Sequence, residues 1–385
     1  MLETILLMFL ALIICFWITC ASKKVVLLDK QFKILWGSIS ILVALLAFNF
    51  VPNSILDWDL IRLYKHIDNI RLNGLNDALK YTEYRNLYII KFWMGIVALT
   101  KCNGLFPAVP LLIEFLTFGF IVQDMLKNKY HSLPMQVVVP ATFLWISMMG
   151  LKLSFSDVRC TLAMCLCCLG FYLEYINGRK RSIAIFLYIC AVFTHHFTLL
   201  FIIIRLVLCI KKLVQSKYIL LIASLLIQST IHFAANYIYQ NIEFDYLHVL
   251  AGKLLADWDK FSFMYYFSNR EFTMKILYLC FIMVFLFGYL GTLKTRERIK
   301  NEKECKVNNA MYVLCCVGVG FSFNYLLLER LIYIAAYFFM IYYILVCSKR
   351  EKTTYFIAVM PVLSYILFFN DINSFIVNAL GYFYL

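Results

Sequence analysis

The sequence predicts an all-α, polytopic integral membrane protein, and three observations carry that reading. Hydrophobic residues make up 63% of the 385, charged residues only 15%, and the mean hydropathy is +0.80, a balance that no soluble chain of this length keeps. Roughly a dozen apolar runs of about 17–22 residues can be marked, each close to the ~20 residues a helix needs to cross hydrocarbon. Lysine and arginine gather in a few short segments between those runs. Residues 1–385 therefore read as a single multi-spanning domain with almost no room for a soluble one.

In chain order, the run Ile5–Ile18 has no basic stretch before it and no small-residue cleavage site after it, so it is expected to stay as a first span. Lys23, Lys24, Lys30 and Lys33 then mark a first cytoplasmic loop, because short cytoplasmic loops collect basic residues. Lys127 and Lys129 mark another, followed by Arg179–Arg181, by Lys211, Lys212 and Lys217, by the basic loop 294–306, and by Lys349, Arg350 and Lys352. These six segments hold 21 of the 36 Lys and Arg against seven acids, and the rest of the chain is balanced. The net charge of +14 is thus a topology signal and implies no nucleic-acid partner.

Alternation between these anchors gives external turns near 150–158, 194–197, 241–271, 328–330 and 371–385. Between the external loop 52–86 and Lys127 lie two apolar runs, Leu87–Thr100 and Leu105–Ile121, where only one crossing is allowed. The first is short and contains Lys91, so it is expected to be a re-entrant or interfacial helix on the external side. The expectation is about twelve transmembrane helices plus this half-helix. The fourteen cysteines fall mostly inside apolar runs, without metal-ligand spacing, and read as small buried hydrophobes; no metal and no cofactor is expected.

The chemistry collects on the external side. Loop 52–86 mixes Asp57, Asp59, Arg62, Lys65, His66 and Arg85 with Trp58, Tyr64, Tyr81 and Tyr84. Loop 241–271 repeats the style, and both contain Asp-Trp-Asp, at 57–59 and at Asp257–Asp259. Aromatic faces and carboxylates together suit sugars, which stack on rings and donate hydroxyl hydrogen bonds.

Ionisable groups deep in apolar runs are costly and call for a functional reading. Asp157 and Arg159 stand at the external end of one run, and His195 and His196 at the same end of the next, with the basic turn 178–181 between them. Glu329 and Arg330 mark a later external junction. Arginine holds phosphate through a planar fork that stays charged when desolvated, so Arg159 and Arg330 form a candidate pyrophosphate clamp. The competing account is that each arginine pairs with its sequence neighbour, Asp157 or Glu329, or reaches lipid headgroups. Neighbouring histidines on a helix point about 100° apart, so one of the two is expected to face a given cavity. A histidine near neutral pKa suits general-base work on a sugar hydroxyl, with Asp59 as the other candidate base. Glu114, inside its apolar run, is expected to pair with Lys91, Lys101 or an arginine.

Through these residues the chain resembles the EpsG-type membrane proteins, whose role is related to that of the Wzy polysaccharide polymerases. The likeness rests on Asp59 and Tyr64 in the first large loop, Arg159 opening a span, the basic turn, histidine closing the next span, and Arg330 followed by Tyr333. This chain has Arg159-Cys160 where the family commonly has Arg-Gln, and two histidines where it usually has one. His195 is favoured by its position directly after Ala191–Thr194.

The resemblance implies a GT-C-like glycosyltransferase that joins repeat units carried on polyprenyl pyrophosphate, at the outer face of the bacterial plasma membrane, for capsule, exopolysaccharide or O-antigen. His195, His196, Asp59 and Arg159 would be catalytic. Arg330, Tyr64, Asp57, Asp157, Asp257, Asp259, Glu329 and Tyr333 would bind substrate. A flippase and a chain-length regulator are implied as partners, beside membrane lipid. A lipid-linked oligosaccharide flippase, a membrane O-acyltransferase and a polysaccharide ligase remain as alternatives; the ligase shares nearly every feature above.

Overall fold

The computed structural model describes residues 15–52, 58–78, 87–130, 132–149, 154–155, 157–178, 180–216, 218–244, 247–248, 251–252, 254–256, 262–269 and 272–347. It is an almost wholly helical, membrane-type bundle. Among the described residues six helices are long and apolar enough to cross a membrane: Asp29–Phe48, Leu105–Lys127, Val158–Ile176, Ile219–Asn241, Lys275–Arg296 and Tyr325–Cys347. Four shorter apolar helices, Tyr88–Thr100, Met135–Met149, Arg181–Thr194 and Thr198–Val207, account for further expected runs. This set is smaller than the dozen spans expected. Residues 1–14 and 348–385, which carry further apolar sequence, lie outside the described residues.

The first long helix, α1 (Asp29–Phe48), is followed by an amphipathic helix, α2 (Trp58–Asn73). A single helical turn, α3 (Leu75–Ala78), comes next, and then the short apolar α4 (Tyr88–Thr100). Leu60, Leu63, Ile67 and Ile70 recur at three- and four-residue spacing along α2 and bury one face against Ile90, Met94 and Val97 of α4, in a small core apart from the main one. Each such side chain contributes roughly 1.5–3 kcal/mol on burial. Arg71 closes this pair by donating to the backbone carbonyls of Val97 and Ala98, both at 3.3 Å, at the C-terminal end of α4. At 13 residues, or about 20 Å, α4 is too short to cross hydrocarbon.

The longest helix, α5 (Leu105–Tyr130), runs antiparallel to α1: Gly104 lies against the end of α1, and Gln123, near the other end, donates to Asp29 at the start of α1. Glycine is required for this approach. A β-carbon at Gly104 would lie 2.1 Å from the Phe48 carbonyl oxygen, and one at Gly119 would lie 2.1 Å from Trp36 Cδ1. Pro110 sits inside α5 and cannot donate to the Phe106 carbonyl four residues back. Trp93 Nε1 of α4 supplies that missing bond at 3.3 Å.

Two-residue strands, β1 (Val26–Leu27) and β2 (Leu133–Pro134), pair antiparallel and join the start of α1 to α6 (Met135–Met149). α7 (Val158–Phe171) continues through a π-turn at Tyr172–Ile176. α8 (Arg181–Thr194) and α9 (Thr198–Val207) are separated by a break at 195–197, and α9 returns along α8 so that Arg205 reaches Glu174 at 2.6 Å. The short α10 (Lys211–Gln215), the spanning α11 (Ile219–Asn241), the short α12 (Phe263–Asn269) and α13 (Phe272–Arg296) follow. α14 (Glu302–Gly320) and α15 (Tyr325–Tyr342), the latter prolonged by a π-turn, complete the bundle. α15 is the central column, with 83% of its spanning window buried against 19% for α11.

Candidate functional site

Arg159 is the second residue of α7, and Asp157 is the residue that caps that helix. From there Arg159 Nη2 donates to both carboxylate oxygens of Asp59, at 3.0 and 2.9 Å. Asp59 lies in the first turn of α2, where a helix N-terminus favours negative charge. Arg62, one turn further along α2, grips the same carboxylate. Burial works against the ionised form of Asp59, but the charges and hydrogen bonds of Arg159 and Arg62 outweigh it and hold this carboxyl below the usual aspartate range. The Asp59–Arg159 bridge is well shielded, with Arg159 only 11% exposed, and it pins the amphipathic helix over the mouth of α7.

Arg159 therefore pairs with an acid from another element, and the expected alternative of a pair with Asp157 is not what the molecule adopts. Nor does Arg330 pair with Glu329. Glu329 accepts a hydrogen bond from Tyr325 at 3.0 Å, one turn back on α15. Among the described residues Arg330 makes no ion pair; its guanidinium lies over the ring of Phe197, 5.6 Å from the centroid. Asp157 lies within electrostatic reach of Asp59, Arg330, Arg159 and Glu329 together. Tyr333, fully buried one turn beyond Arg330, shares Asp157, Glu329 and Arg330 as neighbours. Helices α2, α7 and α15 thus bring together Asp59, Asp157, Arg159, Glu329, Arg330 and Tyr333.

The histidines stand in the α8–α9 break, so the 100° rule for neighbours on a helix does not apply to them. His195 is extended, at φ −155° and ψ 127°, and caps α8. Its Nδ1 accepts the backbone N–H of Phe197 at 3.1 Å, while its carbonyl accepts from the Thr198 hydroxyl at 2.7 Å. A backbone N–H has only a proton to offer, so neutral His195 carries its own proton on Nε2 and presents that atom as a donor. Because Phe197 also lies beneath Arg330, the break places His195 in the shell of the same cluster.

Other expected residues lie elsewhere. Tyr64 is turned towards Cys102 and the small core between α2 and α4, and burial pushes its hydroxyl pKa up. Asp57, Asp257 and Asp259 lie outside the described residues. Among the described residues Glu114 does not form the expected pair with Lys91, Lys101 or an arginine; its carboxyl is buried beside the Thr161 hydroxyl. Phe197 and Tyr325 are the contributors that sequence reasoning passed over, since nothing about an aromatic residue in an apolar run sets it apart; Arg62 was signalled by its three-residue spacing from Asp59. Among the described residues no three His, Cys, Asp or Glu side chains gather into a metal-ligand set.

Scans against family models, curated proteins and solved structures find no match to this chain.

Proposed function

We propose that this protein is a membrane glycosyltransferase of the polymerase type, which extends a glycan carried on polyprenyl pyrophosphate at the outer face of a bacterial plasma membrane. In this reading α4 is the interfacial half-helix on the external side. The observation that carries the proposal is the convergence of two arginines from different helices, Arg159 tied to the amphipathic α2 and Arg330 tied to no carboxylate among the described residues, around Asp157.

The division of labour follows from these contacts. Arg330 takes the pyrophosphate, because its fork is not committed to an acid. Asp59, kept ionised by two arginines, is a weak base; it positions Arg159 and accepts hydrogen bonds from sugar hydroxyls. His195 presents an N–H and acts as a donor to the departing pyrophosphate instead of as the base. Asp157, within electrostatic reach of both arginines, takes the proton of the incoming hydroxyl as that oxygen attacks the anomeric carbon and the lipid pyrophosphate leaves.

The test is the length distribution of lipid-linked glycans in cells carrying wild type, Arg159→Ala or Arg330→Ala, with membrane expression verified for each. The expected result is a ladder from wild type and single repeat units accumulating on the carrier in both variants. Normal ladders from both variants would overturn the proposal.

A further inference from the structure

Phe197 touches two members of the site at once, one with its backbone and one with its ring. Its N–H donates to Nδ1 of His195 at 3.1 Å, and Arg330 Cζ lies over its ring, 5.6 Å from the centroid. Phe197 caps the start of α9 in helical conformation, at φ −58° and ψ −20°, and its carbonyl accepts the N–H of Leu200 at 3.0 Å. The ring also packs against the main core. With N–H, carbonyl and ring all engaged, this residue is a fixed seat within the α8–α9 break.

A ring holds an arginine differently from a carboxylate. A carboxylate takes up guanidinium N–H groups and offsets the charge, as Asp59 does for Arg159. A ring face attracts the cation through its quadrupole, so the guanidinium is oriented while its net charge stays available to an anion. Arg330 Nε is buried without a hydrogen bond among the described residues, which leaves packing on the ring as the contact that aims this end of the side chain. Leucine at 197 would keep the backbone N–H and much of the apolar volume, but it has no quadrupole.

We propose that Phe197 is a positioning residue for the leaving group: its ring aims Arg330 without neutralising it, while its main chain holds His195 in the tautomer that carries the proton on Nε2. The identity of the anion as a pyrophosphate rests on the function proposed above. Phe197 itself touches no reacting atom. It makes the arginine and the histidine one unit, since both take their position from the same residue.

The experiment is calorimetric titration of inorganic pyrophosphate into the full-length protein in nanodiscs of uncharged lipid, for wild type, Phe197→Leu, Phe197→Tyr and Arg330→Ala. Nitrogen NMR of histidine-labelled samples, with His195 assigned by its loss in His195→Asn, reports the tautomer in each. Phe197→Leu is expected to bind pyrophosphate roughly tenfold more weakly, the size of a shielded cation–ring contact, and Phe197→Tyr, which keeps the ring, to bind as wild type. The His195 tautomer is expected to be the same in all of them, because its partner is a main-chain N–H; this separates loss of the ring from collapse of the break. Wild-type affinity in Phe197→Leu, or an equal loss in Phe197→Tyr, would overturn the proposal. If Arg330→Ala has lost binding while Phe197→Leu has not, this inference alone fails; if wild type binds no pyrophosphate, the functional reading fails and takes this one with it.

Discussion

Arg159 and Asp59, 100 residues apart in sequence, are joined through a single guanidinium nitrogen that donates to both carboxylate oxygens. The bond fastens a helix lying outside the main bundle to the first turn of α7. It adds a charged clasp to the apolar contacts that already seat α2, and it makes Arg159 a residue whose charge is already partly used. Replacing Asp59 by Asn is expected to keep the fold and release Arg159. The loss in glycan extension is expected to be on the order of a hundredfold, as for removal of a preorganised charge partner. Arg159→Lys is expected to recover part of the Arg159→Ala loss, since the Asp59 contact runs through one nitrogen, which an ammonium can supply.

The pH dependence of this contact has a definite sign. The folded-state pKa of Asp59 is depressed by Arg159 and Arg62 in spite of burial, so its contribution is fully present above the ordinary aspartate pKa and is lost as pH falls through the lower folded value. The protection factors of the α2 amides, each exchange rate taken relative to its intrinsic rate at that pH, are therefore expected to be flat from neutral pH down to about 4, the ordinary aspartate pKa, and to fall below it. In Asp59→Asn the protection is expected to be lower throughout and to lose that acid step.

Arg71 provides a local check on how α4 is held. Its guanidinium covers the carbonyls of Val97 and Ala98, the part of a helix that carries partial negative charge. Arg71→Ala is expected to destabilise the last turn of α4 by about 1 kcal/mol, read as faster exchange from Val97 to Lys101, with α7 and α15 unchanged.

His195 can be divided into its structural and chemical parts. Asparagine offers a side-chain oxygen where His195 offers Nδ1, so His195→Asn is expected to preserve the α8–α9 break while removing the Nε2 donor. His195→Ala is expected to loosen the break as well. Equal membrane levels of wild type and His195→Asn, with glycan extension reduced at least tenfold only in the variant, would be the signature of a donor to the leaving group.

Much of this architecture was legible from apolar runs and basic anchors, because the cost of leaving hydrocarbon-facing backbone unsatisfied admits few alternatives to helices. The short run at 87–100 was readable as something less than a crossing, since Lys91 and its length both spoke against one. The turn expected at 194–197 falls where α8 ends and α9 begins, and there the histidine ring and the Thr198 hydroxyl take backbone hydrogen bonds that a helix would have used. The pairing of the arginines was illegible. Sequence proximity offered Asp157 to Arg159 and Glu329 to Arg330, whereas partners are chosen by which helices meet, and α2 meets α7 across 100 residues of sequence.

The small strand pair between Val26–Leu27 and Leu133–Pro134 ties α1 to α6 at the end of the molecule that carries Lys23, Lys24 and Lys127, and the bond from Gln123 to Asp29 secures α5 to the same corner. At the far end the same two helices meet with Gly104 against the Phe48 carbonyl, so α1 and α5 are seated at both ends and act as one rigid post.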